Sequence, residues 1–271
     1  FSHYHSLSII SFYSFLDLTE HIEIIKNYLS EVVGLQMPSE KDAIEWFKKT
    51  FFRKTVLGLK EKNIAICRLE YILVHRPDFE TATHWGAAWF EYNQIQGAKR
   101  HGFHVVDLYK EADTKSSTIA AIERYNPVLV TGVGHGNETV FTGQNYNRIY
   151  VKGDETTADL LKGRIVHLLS CKTGAQLGPW LIEKGAKAYM GYRDTYWFVI
   201  DRSDYPNHYA RWFFNADAMF DLWLYQGANA GSAYKRTINE YTEYIRSEAV
   251  PQECKPYLCL LYTSPSPRDR G

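Results

Sequence analysis

The order of patterns along the chain predicts an α/β fold on a mainly parallel sheet, preceded by a helical annex. Short apolar runs rich in Val, Ile and Leu recur at 63–75, 103–109, 127–133, 164–170 and 186–192, each of strand length. Stretches with apolar residues at helical spacing separate them, and such alternation calls for crossovers that leave successive strands parallel. Two of the runs end on small, turn-forming residues that carry a histidine and a cysteine.

Residues 1–16 are apolar and aromatic without a period, but Leu18, Ile22, Ile25, Leu29 and Val32 share a helical face that Gly34 ends. Ser39 with Asp42 reads as an N-cap ahead of Ile44, Phe47, Phe51 and Phe52, so 1–62 is expected to form the helical annex. The strand at 63–75 stops before Pro77, and Trp85, Ala88, Trp89, Tyr92 and Ile95 then mark a helix up to Gly97. A second strand at 103–109, a helix at 116–125 and a third strand at 127–133 complete a βαβαβ unit. Alternation over 140–151 around Gly143-Gln144-Asn145 signals a hairpin, and 156–161 a helical turn or two. A strand at 164–170, a helix at 174–184 closed by Gly185, and a strand at 186–192 follow. Two aromatic-rich helices are expected at 209–224 and 228–245, and the folded domain at 63–250. The tail 251–271 turns near 260 to Pro, Ser and Arg; it resembles translated sequencing-adapter read-through and is expected to be disordered.

With 31 basic and 31 acidic side chains, no global field draws the chain to nucleic acid or anionic lipid, and neither is expected as a partner. No apolar run approaches the roughly 20 residues that span a bilayer. The four cysteines, at 67, 171, 254 and 259, form no C-x-x-C pair, which favours free thiols over a disulfide framework or a metal site. No cofactor is expected. The 20 Tyr and 7 Trp are read first as packing and only second as a stacking surface. The chain begins at Phe1 without Met, so it is expected to be a piece of a longer protein, with other domains or an export signal outside it.

The run Leu168-Leu169-Ser170-Cys171-Lys172-Thr173-Gly174 ends on a single thiol, and Pro127-Val128-Leu129-Val130-Thr131-Gly132-Val133 ends on Gly134-His135-Gly136-Asn137. The separation, 171 − 135 = 36 residues, leaves room for a loop, a crossover and a second strand. Reactive groups of parallel sheets collect beyond the carboxyl ends of the strands, so neighbouring strands ending in His and Cys bring imidazole and thiol together. A lone cysteine is ordinarily a small buried hydrophobe; the matching histidine lifts Cys171 above that reading. A free thiol has a pKa of ~8.5, so His135 would take its proton and later give it to a leaving group. The Gly132–Gly136 stretch fails the G-x-G-x-x-G spacing because position 137 is Asn, and no G-K-[ST] follows, so a nucleotide is not expected. His167, inside the Cys-bearing run, reads as packed in the sheet, and His75 as a strand-end residue near the site's edge.

Taken together, Thr131-Gly132-Val133-Gly134-His135-Gly136 and the Cys171 motif, with the run through Gly178 to Tyr189-Met190-Gly191-Tyr192, resemble the caspase-like cysteine peptidases, closest to the gingipain-like branch, over roughly residues 70–247. His-Gly and Ser-Cys are each common; their order, spacing and strand-end placement are the specific part. The resemblance implies a caspase-like three-layer sandwich, peptide-bond hydrolysis through a His135/Cys171 dyad and a thioester, and the backbone amides of Gly136 and Cys171 as oxyanion donors. It also implies a basic residue before the scissile bond, read by an acid, for which Asp78, Glu91, Asp194 and Asp201 are available. Asp78, Glu80 and Glu138 are candidates to orient His135, the first two because they follow the first strand's end. Trp197 and Asp194, after the fifth strand, are expected to wall the substrate pocket. The expected activity is a cysteine endopeptidase acting on a peptide or protein. Alternatives from other classes are a non-catalytic caspase-like interaction module and a Cys-dependent amidase or acyl transferase.

Overall fold

The chain enters its sheet at β1 (Tyr71–Arg76) and runs through α1 (Thr81–Phe90), a π-helical turn (Glu91–Ile95) and α2 (Gln96–Arg100) to β2 (His104–Tyr109). It returns through α3 (Lys115–Tyr125) to β3 (Leu129–Val133). A small antiparallel sheet follows, made of β4 (His135–Gly136), β5 (Val140–Thr142) and β6 (Arg148–Val151). Next come α4 (Glu155–Leu161), β7 (Ile165–Leu169), α5 (Leu177–Lys184) and β8 (Ala188–Gly191). Helices α6 (Arg211–Tyr225), α7 (Ala230–Arg246) and α8 (Lys255–Thr263) precede a two-residue strand, β9 (Arg268–Asp269). This computed structural model describes residues 70–203, 208–263 and 268–269, all within the unit Glu70–Gly271. The expected helical annex at 1–62 and Cys67 lie outside the described residues.

The sheet order is β2-β1-β3-β7-β8, all parallel, with β9 pairing antiparallel on β8. The five expected strands form, the first from Tyr71 on, its expected part at 63–69 lying outside the described residues. β1, β3, β7 and β8 are buried almost throughout, as the inner strands of a parallel sheet must be, whereas edge strand β2 leaves Asp107 and Tyr109 exposed. Alternate side chains go to opposite helical layers. Ile72 and Val74 pack with Trp89, Phe213 and Phe214 of the α1 and α6 side, while Leu73 packs with Ile122, Leu161 and Leu181 of α3, α4 and α5. Each such side chain, fully buried, stabilises the fold by ~1.5–3 kcal/mol, which is why the period-two pattern sets the register.

Local signals end the helices where the chain must turn back. Thr114 caps α3 by accepting from the Ser117 N–H, and Asn126 closes it in the left-handed region at φ 46°. Asp154 and Asn229 cap α4 and α7 in the same way. Cys254, Leu258 and Leu261 are fully buried, so α8 carries a short apolar stripe of the core to residue 261, while 264–267 and 270–271 of the expected disordered tail lie outside the described residues.

One helix layer meets the sheet through charge. His167 of β7 lies between Asp221 (Nδ1 to Oδ1, 3.0 Å) and Asp217 (Nε2 to Oδ1, 3.1 Å) of α6, all fully buried. Thr131 and Tyr192 donate to the same two carboxylates, at 2.7 Å each, and the Tyr192 and Tyr241 hydroxyls meet at 2.8 Å. Burial alone would lower the His167 pKa, but the two aspartates outweigh it and push it up to about 10. His167 is thus a charged structural residue that ties β7 to α6.

Candidate active site

β3 and β7 pair with Val133 opposite Leu169, an offset (169 − 133 = 36) equal to that between His135 and Cys171. Both functional residues therefore leave the sheet two positions past the same level of the same edge. The Gly134 N–H still donates to the Leu169 carbonyl at 3.2 Å, which keeps the diverging chains together one step further. At Gly136 the close approach excludes a side chain: a Cβ would lie 2.8 Å from Thr173 Cγ2 and 3.0 Å from both the Cys171 carbonyl and Ser170 Oγ. The Asn137 N–H bonds the Val140 carbonyl, so alternation along the β4/β5 ladder makes Gly136 a non-bonded position whose N–H points away from β5. The Cys171 N–H has no hydrogen-bond acceptor among the described residues.

His135 and Cys171 open on one cleft of about 380 Å³. Val133, Leu169 and Phe214 contribute to its apolar lining, residues 195–198 and Ile200 supply further lining, and the first turn of α1 with Glu80 completes it. Glu80 caps α1 by accepting from the Thr83 N–H at 2.9 Å, and the same oxygen lies 3.1 Å from His135 Nε2. A carboxylate can only accept, so Nε2 carries a proton in this contact, which leaves Nδ1 as the nitrogen able to take up or release one. Burial raises the Glu80 carboxyl, but the Thr83 and Ala82 amides and His135 outweigh it and hold the group below its ordinary value. The imidazole is further held by Tyr146, stacked at 5.1 Å between centroids, and by the edge of Phe79 at 6.0 Å.

The loop bearing Phe79 and Glu80 is itself pinned. Gln144 Oε1 accepts from the Asp78 N–H at 2.8 Å. Asn145 and Tyr146 follow with φ of 50° and 59°, the left-handed backbone that turns the Tyr146 ring toward His135. In the sequence Gln144 and Tyr146 are legible only as residues of the hairpin stretch; Gln144 meets Asp78 across 66 positions, and Tyr146 joins the edge of Phe79 to the face of His135.

Cys171 sits at a strained turn, since Lys172 has φ 61° without being glycine. The Lys172 N–H donates to the Asp194 carbonyl at 3.1 Å, and its ammonium lies 3.4 Å from Glu138, with both side chains exposed. Burial pushes the Cys171 thiol up, against smaller opposing pulls from the Tyr196 amide N–H and the Lys172 charge. Burial thus favours the thiol form of Cys171, and among the described residues no hydrogen bond joins the sulfur directly to His135.

The remaining expected site residues fall elsewhere. Asp78 accepts from the Tyr109 hydroxyl at 2.8 Å and pairs with His84 at 3.1 Å, and Glu91 pairs with Arg76 at 3.0 Å; both line a separate depression. Glu138 meets Lys172 and not His135. Asp201 accepts from the Tyr209 N–H at 2.9 Å ahead of α6. Asp194 is exposed and is not among the cleft-lining residues, whereas Trp197 does line the cleft. His75 is fully buried between Asp113 (2.6 Å) and the Tyr150 hydroxyl (2.9 Å), beneath the small sheet and away from the cleft.

Comparison with known proteins finds no matching family model and no matching curated relative. Among the described residues no cluster of three His, Cys, Asp or Glu is placed to hold a metal, and no helix is long and apolar enough to cross a membrane.

Proposed function

We propose that this chain is a cysteine peptidase of caspase-like architecture, in which Cys171 attacks a peptide carbonyl and His135 manages the proton. The observation that carries the reading is the shared register: imidazole and thiol leave adjacent parallel strands at one level and open on one cleft, with the Gly136 backbone packed on the Cys171 turn. On substrate binding, His135 Nδ1 takes the thiol proton and the sulfur adds to the carbonyl carbon, with the charge moving to the carbonyl oxygen. The Gly136 and Cys171 N–H groups are the free donors for that oxygen, and one such donor is typically worth about 10²–10³ in rate. Collapse breaks the C–N bond, His135 protonates the departing amine, and water then hydrolyses the thioester. Glu80 keeps the ring oriented and steadies the imidazolium formed in transit.

One observation favours the non-catalytic alternative: the partly buried Cys171 thiol has its pKa raised by desolvation and makes no direct hydrogen bond to His135. Catalytic hydrogen bonds are often long before substrate is bound, so turnover decides between the two. Peptide hydrolysis by the wild type that Cys171→Ala and His135→Ala each abolish supports the peptidase. Full turnover by Cys171→Ala refutes it, and no turnover of any peptide by folded wild type leaves the module reading.

A further inference from the structure

Resting on the cysteine reading of the site, we infer that the cleft takes an apolar side chain next to the group attacked by Cys171, and not the basic one that the sequence motifs suggest. The cleft's floor is Val133 and Leu169 at the strand ends and Phe214 of α6, which are 4%, 3% and 1% exposed. Nothing on that floor can neutralise a charge. The single carboxylate among the lining residues, Glu80, is already committed to the Thr83 amide and His135.

The acids expected to read a basic residue are engaged or displaced. Asp78, held by the Tyr109 hydroxyl and near the Lys110 ammonium, and Glu91, paired with Arg76, lie in another depression, Asp201 accepts from the Tyr209 N–H ahead of α6, and Asp194 is not among the residues lining the cleft. A Lys or Arg side chain entering this space would shed its water without gaining a partner. An aliphatic or aromatic one would instead cover Trp197 and Ile200, which stand 53% and 47% exposed among the lining residues. The volume, about 380 Å³, sits at the small end of the ~300–1,000 Å³ range of ligand sites and suits one large side chain with its flanking backbone.

The test uses peptidyl chloromethyl ketones that differ only in the residue next to the ketone: Leu, Phe, Lys, Arg or Asp. Sulfur displaces chloride, a C–S bond replaces the C–Cl bond, and the thiol proton leaves through His135 to solvent. Labelling at Cys171 is followed by intact mass and peptide mapping on the full chain, with Cys171→Ala as control. The Leu and Phe reagents are expected to react at least about tenfold faster than the Lys, Arg and Asp reagents, the scale that one or two buried methylenes give a hydrophobic pocket. Trp197→Ala, at an exposed position of the cleft wall, should lower the Leu and Phe rates by about fivefold relative to the Lys and Arg rates of the same variant. Equal rates across the panel, or preference for Lys, Arg or Asp, overturn the inference. Because labelling needs no turnover, apolar preference without peptide hydrolysis upholds this pocket and removes the peptidase, whereas hydrolysis after basic residues keeps the peptidase and removes the pocket. No labelling of Cys171 by any reagent overturns both.

Discussion

Replacing His167 by leucine takes the imidazolium from between Asp217 and Asp221 and leaves two carboxylates in a fully buried space. Removing one partner of a buried ion pair typically costs about 3–5 kcal/mol. The upward shift of His167 from 6.5 to about 10 points the same way, since a difference of that size corresponds to about 5 kcal/mol at its upper end. Its folded pKa is raised, so the stabilisation is complete below about pH 6.5 and is lost as pH climbs toward about 10. Between those limits the folded chain holds a proton that the unfolded chain has released, and stability should fall by up to about 1.4 kcal/mol per pH unit. Urea unfolding followed by tryptophan fluorescence at several pH values from 6 to 9 measures this directly. The wild type should show the slope, and His167→Leu should be about 3–5 kcal/mol less stable at pH 6 with most of the slope gone. Adding Asp221→Asn to that variant should restore part of the loss by removing one uncompensated charge. A variant within about 1 kcal/mol of the wild type at pH 6, or one that keeps the full slope, would refute the charged role assigned to His167.

Three other outcomes are expected. Glu80→Ala should cost about 0.5–2 kcal/mol through the lost cap of α1, while Glu80→Gln should hold stability and lower kcat/KM by up to about fivefold, because its pair with His135 is one-third exposed (33% and 36%). An unchanged thermal melt for Glu80→Ala would sink the cap, and a hundredfold rate loss in Glu80→Gln would show a role beyond orientation. Gly136→Ala drives a Cβ into Thr173, Ser170 and the Cys171 carbonyl, so kcat should fall by about 10²–10³ with about 1–3 kcal/mol of destabilisation; unchanged kcat would exclude its amide as an oxyanion donor. With iodoacetamide at neutral pH, exposed Cys259 should label first and Cys171 slowly, while Cys254, whose thiol burial pushes up to about 11, should wait for unfolding; Cys171 reacting fastest at pH 6 would contradict a resting thiol.

The strands were legible because the inner strands of a parallel sheet are buried on both faces, so they are written as mostly apolar runs, and no tertiary knowledge is needed to see 129–133 or 165–169 despite Thr131 and His167 within them. The juxtaposition of His135 and Cys171 followed from the same pattern, since adjacent parallel strands at equal level end together. The small sheet showed itself through Gly143-Gln144-Asn145, and Trp197 through its place after the fifth strand. Composition did not show the apolar stripe of Leu258 and Leu261, whose burial depends on the neighbouring helices.

What the chain determined by itself was thus local: where strands and helices form, which faces turn inward, and which reactive residues stand at strand ends. Only the tertiary structure decided which distant groups meet. Glu80 and not Glu138 reaches His135, across 55 positions. His167 finds its two aspartates 50 and 54 positions later, and of the expected pocket acids Glu91 pairs with Arg76, Asp78 is held by Tyr109, Asp201 holds the Tyr209 amide, and Asp194 lies outside the cleft lining. Periodicity records how far each side chain is buried, because burial energy depends on the residue and its own element. Pairing between charges depends on loop paths that bring separate elements within about 3 Å, and no spacing along the chain encodes that distance.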